Sequence, residues 1–358
     1  MKLRNIFILL FLFLFFSCNE SDMGIFYGLK IEEKLKDGSL PNSVTVGNML
    51  KAGTKLYIAA GSVYTKTSGT EEDWSKVNPP SGYDLTISMA NAFDGTEKVY
   101  AIFYTKNTAN KGFFSFDGNS WTSISTASLN GSLEQVNSAN NVIFVSTRIA
   151  PNIAELYYYT GGAFTKINID MVTSTFCVIH DGTDYYISNY NKIFKGSLPN
   201  PSLILQLDSR YDIKGLASGS LAGIDSNIYF TYWNRRNLRG YITVINNSGN
   251  ILKDSAIGTF MLHGIKFFNV SGYQFLLCGT AGRGYYQILN PNWDNINLER
   301  PKNNILAENY NSTVELQNSV VLDFFIDGGS DGDLYALTST RGLWKNSDSG
   351  GYRTWSIE

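Results

Sequence analysis

The chain has 358 residues, of which 43% are hydrophobic and 14% aromatic, with 29 basic residues against 31 acidic ones. This length allows one large domain or two ordinary ones, and the near-neutral net charge excludes the strongly basic domain typical of nucleic-acid binding proteins. Three cysteines are too few for a disulfide framework, two histidines are too few for a multi-histidine metal site, and no nucleotide-binding motif is present. We therefore expect no nucleic-acid partner, no metal and no cofactor.

The N-terminus has the pattern of an export signal. Lys2 and Arg4 form a short basic region, and an uncharged apolar run from Ile6 to Phe16 follows. This run is too short to span a bilayer as a helix, which takes about 20 apolar residues. A basic start, a short apolar run and a small residue before the cleavage point describe a signal peptide, here over residues 1–17.

The residues around the cleavage point, Phe15-Phe16-Ser17-Cys18, resemble the lipobox of bacterial lipoproteins. The two phenylalanines are similar to the looser lipobox of spirochaetes and some other bacteria. The resemblance implies that the Cys18 thiol is acylated, with palmitate or a similar chain, and that Cys18 becomes the mature N-terminus. A secretory signal followed by a chance cysteine is the alternative. Asn19 rather than aspartate after the cysteine favours the outer membrane over the inner one.

A short apolar and aromatic segment then recurs about every 43 residues. Its aromatic residue lies at spacings of 43, 44, 42 and 43 residues, at Tyr57, Tyr100, Phe144, Tyr186 and Tyr229. Asp-Gly pairs precede several of the segments, and Asp-Gly between two apolar runs favours a hairpin turn. A second aromatic run and a fourth run follow in most units. Four strands in about 43 residues, repeated, are typical of β-propeller blades.

The sequence therefore predicts an all-β protein, a β-propeller of seven four-stranded blades, in a single domain over 24–358 behind a lipidated tether over 18–23. Six or eight blades are the nearest alternatives. A β-sandwich does not explain the period, and an open solenoid would have polar caps and shorter repeats. Residues 25–31 could add a strand that closes the ring, and 301–317 form a longer excursion before the last unit.

The last unit contains a hairpin motif over 347–355, Ser-Asp-Ser-Gly-Gly-Tyr-Arg-Thr-Trp. It resembles the Asp-box of sialidase-like propellers, with one residue inserted after the aspartate. The matching residues are Ser347, Asp348, Gly350, Thr354 and Trp355. The resemblance implies that the Asp348 side chain ties the turn between the third and fourth strands and that Trp355 packs between blades. Because the Asp-box is a structural element, it implies the fold rather than an activity.

Propeller topology assigns each loop to a face. With strands a to d running from the inside to the outside of a blade, the b–c hairpins and d–a connections share one face, which we call the b–c face. Six of the nine arginines after the signal fall in predicted b–c hairpins. Arginine forks suit carboxylate, sulfate or phosphate groups, and a cationic face attracts anions. The candidate anion-binding residues are Arg148, Tyr232, Trp233, Arg235, Arg236, Arg239, Arg283 and Arg341. Ordinary solvated hairpins are the alternative.

These patterns predict a membrane-anchored lipoprotein of the cell envelope whose propeller is a noncatalytic binding or scaffolding module for a protein or an anionic glycan. A sialidase-like glycan-processing enzyme and an assembly factor for envelope proteins are the alternatives. The sialidase resemblance implies three arginines, a Tyr–Glu pair and an acidic residue, for which Glu134, Asp212 and Glu315 are candidates. No spacing singles these acids out, so no catalytic residue is assigned.

Overall fold

Seven antiparallel β-sheets form a closed ring in the computed structural model of the chain. The structure describes residues 40–41, 44–108, 110–219, 227–289, 313–329, 331–348 and 353–358. Each sheet consists of strands that are consecutive in sequence. The innermost strand of each sheet contacts that of the next, and the seventh contacts the first. The predicted seven-bladed β-propeller is therefore confirmed.

Within each blade the strands follow one another in sequence from strand a to strand d. Blade 1 contains β1 Asn48–Ala52, β2 Lys55–Ala60, β3 Ser62–Thr67 and β4 Ser75–Val77, and blade 2 contains β5 Leu85–Asp94, β6 Thr96–Tyr104, β7 Lys111–Phe116 and β8 Trp121–Ile124. Blade 3 contains β9 Ser132–Ala139, β10 Val142–Ala150, β11 Ile153–Thr160 and β12 Ala163–Lys166, and blade 4 contains β13 Cys177–His180, β14 Tyr185–Asn189, β15 Lys192–Gly196 and β16 Ser202–Gln206. Blade 5 contains β17 Tyr211–Gly219, β18 Asn227–Asn234, β19 Arg239–Ile245 and β20 Ile251–Gly258. Blade 6 has three strands in the described part of the chain, β21 Leu262–Val270, β22 Tyr273–Thr280 and β23 Tyr285–Leu289. Helix α1, Val314–Gln317, precedes blade 7, which contains β24 Val321–Asp327, β25 Asp333–Thr338, β26 Leu343–Asp348 and β27 Arg353–Ile357.

The repeated apolar segment is strand b of every blade. The five aromatic residues that define its period each expose at most 3% of their surface. Strand b is covered on both faces because neighbouring blades pack face to face. Its sequence therefore runs apolar, without the alternation of a half-exposed strand. In β2, for example, every residue after Lys55 is buried.

The hairpin that resembles an Asp-box joins β26 and β27, which are strands c and d of blade 7. Ser347 pairs with Thr354 in this hairpin. Gly350 and the rest of the turn, 349–352, lie outside the described residues, so the resemblance and the tie through Asp348 stay predictions. Trp355 is buried, and its indole N–H donates to the Tyr285 hydroxyl of blade 6 at 3.2 Å. Trp355 thus packs between two blades.

Side chains on the inner strands tie each of the first three blades to the next. One side chain on strand a donates to the carbonyl of a residue on or beside the neighbouring strand a and accepts from the amide of the same residue. The pairs are Asn48 with Met89, Ser88 with Val136, and Gln135 with Phe176. Adjacent inner strands belong to separate sheets and do not pair through their backbones. These side chains therefore satisfy backbone groups that would otherwise lack a partner.

The seam between blades 7 and 1 closes the ring. Lys51 Nζ lies 2.6 Å from Asp327 Oδ1, and Lys66 Nζ lies 2.5 Å from Glu358 Oε2. Blade 1 is built from β1–β4 and blade 7 from β24–β27. In the described part of the chain, the seam therefore joins the two blades without exchanging a strand. The strand expected over 25–31 lies outside the described residues.

Several other predicted features also lie outside the described residues. They are the signal peptide over 1–17, Cys18 with the tether over 18–23, and most of the excursion over 301–317, which ends in α1. No helix in the described residues is long and apolar enough to cross a membrane.

Replacing Gln135 with leucine tests the inner ties. Leucine has a similar volume but leaves the Phe176 amide and carbonyl without partners, so we expect the free energy of unfolding to fall by about 2 kcal/mol. Urea denaturation followed by tryptophan fluorescence measures the change. The same substitution at Gln206, which is exposed on the outermost strand of blade 4, is the control and should cost less than about 0.5 kcal/mol. Equal losses in the two variants would contradict the role given to the ties.

Candidate functional site

The six predicted arginines all lie on the b–c face and are exposed. Arg148 belongs to blade 3, Arg235, Arg236 and Arg239 to blade 5, Arg283 to blade 6 and Arg341 to blade 7. The topological prediction of their position therefore agrees with the structure. Whether they meet depends on how the hairpins of neighbouring blades compare in length.

Blade 4 has a shorter b–c hairpin than its neighbours, and this opens a notch in the b–c face. Its strand b, β14, has five residues, whereas β10 and β18 of blades 3 and 5 have nine and eight. A cavity of about 280 Å³ occupies the gap. It is lined by Arg148, Ala150, Pro151, Ile153 and Ala154 of blade 3, by residues 172–175, and by Asp212, Lys214 and Arg235 of blade 5. These residues are called the blade 4 notch.

The floor of the notch is held by a buried side chain. Asn189, at the end of β14, accepts a hydrogen bond from the Val172 amide at 2.9 Å. Its own amide donates to the carbonyls of Thr173 and Thr175 at 2.7 and 2.8 Å. Asn189 exposes 1% of its surface. The connection that forms the floor is thus fixed in one conformation rather than left as a loose loop.

Asp212 pairs with two cations on the blade 5 wall of the notch. Its Oδ2 atom lies 2.7 Å from Lys214 Nζ and 3.0 Å from Arg235 Nη2. The Arg235 guanidinium also lies over the Tyr190 ring, 5.1 Å from its centroid. The Arg235 side chain is 53% exposed and that of Asp212 is 17% exposed. The cation therefore faces solvent, and the acid lies behind it.

Glu134 makes a matching arrangement beside the blade 3 wall. Its carboxylate lies 3.1 Å from Lys111 Nζ and 3.6 Å from Arg148 Nη2. Arg148 also donates to Ser174 Oγ in the floor at 3.1 Å, and its side chain is 54% exposed. The charged residues that line the notch itself are three cations, Arg148, Lys214 and Arg235, and one carboxylate, Asp212. The notch thus has an excess of positive charge that attracts anions.

β-Bulges direct two of these charged side chains. In blade 3 the register shifts between Ser146 and Thr147, which leaves Glu134 as the extra residue of the inner strand. In blade 5 a register shift in β17 likewise leaves Lys214 as the extra residue of the inner strand. A bulge re-aims the side chain of its extra residue, and bulges are common beside functional sites. Lys214 was not among the residues predicted to bind an anion, because a bulge has no clear sequence pattern.

The two aromatic candidates have different surroundings. Tyr232 is 4% exposed, its hydroxyl lies 3.0 Å from both carboxylate oxygens of Asp254, and its ring stacks on Tyr241. Burial and the Asp254 carboxylate raise the pKa of the Tyr232 phenol. Tyr232 therefore supports the base of the blade 5 hairpin and is not presented to a ligand. Trp233 is half-buried on the opposite side of the same strand.

The remaining arginines do not line the notch. Arg236 and Arg239 project from the blade 5 hairpin, and Arg341 from that of blade 7. The Arg283 guanidinium lies over the Phe260 ring in blade 6, 5.2 Å from its centroid. The structure thus brings together two of the six predicted arginines, with Lys214 and Asp212.

The inner strands also enclose a central cavity of about 780 Å³. Asn48, Ser88 and Gln135 on its wall are already used in the ties between blades. Lys266 and Asp323 are exposed to the cavity, and enclosure by the wall raises the pKa of the Asp323 carboxyl. Cys177 also lines it, and burial raises the pKa of its thiol to about 11, so the thiol is protonated at neutral pH.

A Tyr–Glu pair of the type used by sialidases occurs in blade 3, but its surroundings do not favour ionisation of the tyrosine. The Tyr157 hydroxyl donates to the Glu155 carboxylate, which also pairs with Lys166. Burial and Glu155 raise the pKa of the Tyr157 phenol, which opposes formation of a nucleophilic phenolate. Of the three acidic candidates, Asp212 lines the notch, Glu134 lies beside it, and Glu315 is in α1. No cluster that could hold a metal ion occurs among the described residues.

No protein-family model and no curated protein matches the sequence. Solved structures do match the fold. A structure described as YCF48 bound to D1 peptide has a TM-score of 0.59 and 11% identity, over 87% of this chain and 94% of that one. A GH74 enzyme of Niastella koreensis has a TM-score of 0.59 and 13% identity, over 89% of this chain and 55% of that one. BBS1N in complex with ARL6DN has a TM-score of 0.56 and 10% identity, over 87% and 94%. At these identities the likeness shows the propeller fold alone.

The pH dependence of stability tests the environment of His263, which lies in a bulge of β21. Burial and then the nearby Lys214 lower the pKa of this imidazole to about 4, below the value of about 6.5 in an unfolded chain. Between these values the unfolded chain binds the proton more strongly, so lowering the pH through this window favours unfolding. We expect the urea midpoint to fall between pH 6.5 and 4, with a smaller fall in His263→Asn. Identical pH profiles would contradict a buried neutral imidazole.

Proposed function

We propose that the protein is a membrane-anchored, noncatalytic binding module of the cell envelope that engages an anionic group of a protein or glycan at the blade 4 notch. The observation that carries this proposal is the convergence of Arg148 and Arg235, from blades 3 and 5, on one cavity. A surface kept charged only for solubility would not require such convergence.

The notch has the physical properties of an anion site. Arginine presents a planar fork of donors that matches carboxylate, sulfate or phosphate, and charge-assisted hydrogen bonds are about twice as strong as neutral ones. Arg148 is oriented by Ser174 and Arg235 by Asp212 and the Tyr190 ring. Because these contacts already restrict the side chains, less conformational entropy is lost when an anion binds.

The state of the nucleophilic groups supports a noncatalytic role. The Tyr157 phenol and the Cys177 thiol both have raised pKa values, so neither is activated as a nucleophile. The pKa of His263, lowered to about 4, makes its imidazole a weak general base. Similarity to propellers described in complex with a peptide or with ARL6DN supports a protein partner. Binding to a protein is compatible with a scaffold and with an assembly factor.

Charge reversal at the notch tests the binding function. We expect Arg148→Glu combined with Arg235→Glu to weaken binding to an array of acidic peptides and anionic oligosaccharides by roughly 30-fold or more. The double variant Arg283→Glu with Arg341→Glu has the same change in charge on the same face and is the matched control. Biolayer interferometry at two salt concentrations measures both. Equal losses would mean that binding follows the overall charge of the face, and the notch would not be the site.

Metabolic labelling with a palmitate analogue tests the anchor in the producing bacterium. We expect the wild-type chain to incorporate the label and fractionate with membranes, because the thiol of Cys18 is the predicted acylation point. Cys18→Ala should lose both properties, whereas Cys177→Ala should keep them. Labelling of the Cys18→Ala variant would disprove the lipobox interpretation.

A further inference from the structure

We propose that the blade 4 notch accepts an extended acidic segment of a partner protein, in which aliphatic residues flank the acidic one, rather than an anionic glycan. This inference rests on the binding function proposed above and specifies its ligand. Four observations carry it: the apolar side chains beside the arginines, the conformation of Leu238, the bracing of its hairpin and the covered aromatic rings of the b–c face.

Exposed aliphatic side chains occur in both hairpins that carry the notch arginines, and one of them, Ile153, lines the cavity. Ile149 and Ile153, on either side of the blade 3 hairpin that contains Arg148, are 39% and 54% exposed. Leu238, in the same hairpin as Arg235, is 57% exposed. Apolar contacts at the edge of a charged site exclude water and strengthen the ion pairs they surround. A partner segment with aliphatic residues on both sides of a carboxylate would match this combination of cationic and aliphatic side chains.

Leu238 occupies its position against its backbone preference. Its φ angle is +53°, in the left-handed region that leucine avoids at a cost of about 1–2 kcal/mol and that glycine adopts freely. The exposed side chain contributes little packing inside the molecule in return. The turn that closes the hairpin between Asn234 and Arg239 places this residue in the left-handed region, yet the position holds leucine rather than glycine or asparagine. Residues held in such backbone conformations cluster at ligand-binding sites. We therefore assign Leu238 to the contact surface.

The hairpin that presents Leu238 is braced from within. Asn234 Oδ1 accepts from the Arg236 and Asn237 amides at 2.9 and 3.4 Å. The Asn237 side chain accepts from the Arg239 amide at 3.2 Å and donates to the Tyr241 hydroxyl at 2.8 Å. These bonds hold the tip in one conformation before any partner arrives. Preorganisation of this type lowers the entropic cost of binding.

The aromatic rings near the arginines offer little open surface, because Trp233 is half-buried and two other rings lie under guanidinium groups. Sugar rings bind proteins by packing on open aromatic faces, but the Arg235 guanidinium lies over Tyr190 and that of Arg283 over Phe260. The exposed large apolar side chains in these described hairpins are aliphatic. The notch volume of about 280 Å³ is also below the range of about 300–1,000 Å³ typical of small-molecule pockets, and suits one or two side chains of an extended peptide.

Selection of peptide ligands tests the inference without a known partner. Full-length mature protein is panned against a displayed library of random dodecapeptides, and the double variant Arg148→Glu with Arg235→Glu is used for counter-selection. We expect enrichment of peptides with Asp or Glu between aliphatic residues.

In fluorescence polarisation, the charge-reversal variant should bind such a peptide roughly 30-fold more weakly or worse. Leu238→Ser should lose roughly five- to tenfold through the lost apolar contact. Arg283→Glu with Arg341→Glu is the control that retains affinity.

Parallel probes separate the outcomes. If heparin or chondroitin sulfate oligosaccharides bind with the same dependence on Arg148 and Arg235 but no dependence on Leu238, the partner class is wrong while the anion site stands. If vesicles containing phosphatidylglycerol bind through Leu238 and the arginines and no peptide is enriched, the surface docks on lipid and the inference is overturned. If no probe depends on the two arginines, the proposed binding function itself fails. Circular dichroism of each variant confirms that the propeller is intact.

Discussion

Hydrogen bonds between inner strands join the first four blades of the propeller where its geometry is least favourable. Blades radiate from an axis, so neighbouring strands a diverge and cannot form a continuous backbone ladder, yet their amides and carbonyls still need partners. Asn48, Ser88 and Gln135 each bridge this gap by binding both backbone groups of one residue in the next blade. These three polar side chains on the wall of the central cavity thus have a structural role.

A fixed inner ring allows the outer loops to differ. The blade 4 notch arises because one hairpin is short while its two neighbours are long, so the site consists of residues from blades that are not adjacent in the ring. Its walls rest on strands that the ring holds in place, and Asn189 holds its floor. Bulges at Glu134 and Lys214 then direct charged side chains without lengthening any loop. Variation of hairpin length on a rigid frame is enough to create a site.

The arginines of this protein have different roles, and their surroundings decide which. Arg353 is 4% exposed and donates to the Asn346 side chain at 2.8 Å and to the Gly332 carbonyl at 2.7 Å, which makes it part of the framework. Arg283 covers an aromatic ring on the b–c face. Arg148 and Arg235 have anchoring contacts on one side and exposed donors on the other, which is the arrangement expected for ligand binding. The number of arginines on a face is therefore a poor guide to a site, whereas the contacts of each guanidinium are informative.

The sequence by itself determined the repeat and the face to which each hairpin belongs, and it favoured seven blades over six or eight, which the closed ring of seven sheets then decided. The period of Tyr57 and its counterparts reflects a strand buried on both sides, and propeller topology then places the arginines on the b–c face. The proposed acylation of Cys18 also rests on sequence alone. Only the tertiary structure decided that Arg148 and Arg235 converge, because this depends on the short hairpin of blade 4 between them. It also decided that Tyr232 is buried and that Lys214 joins the site. Strand register and bulges set the direction of a side chain, and they depend on pairing between strands rather than on local sequence.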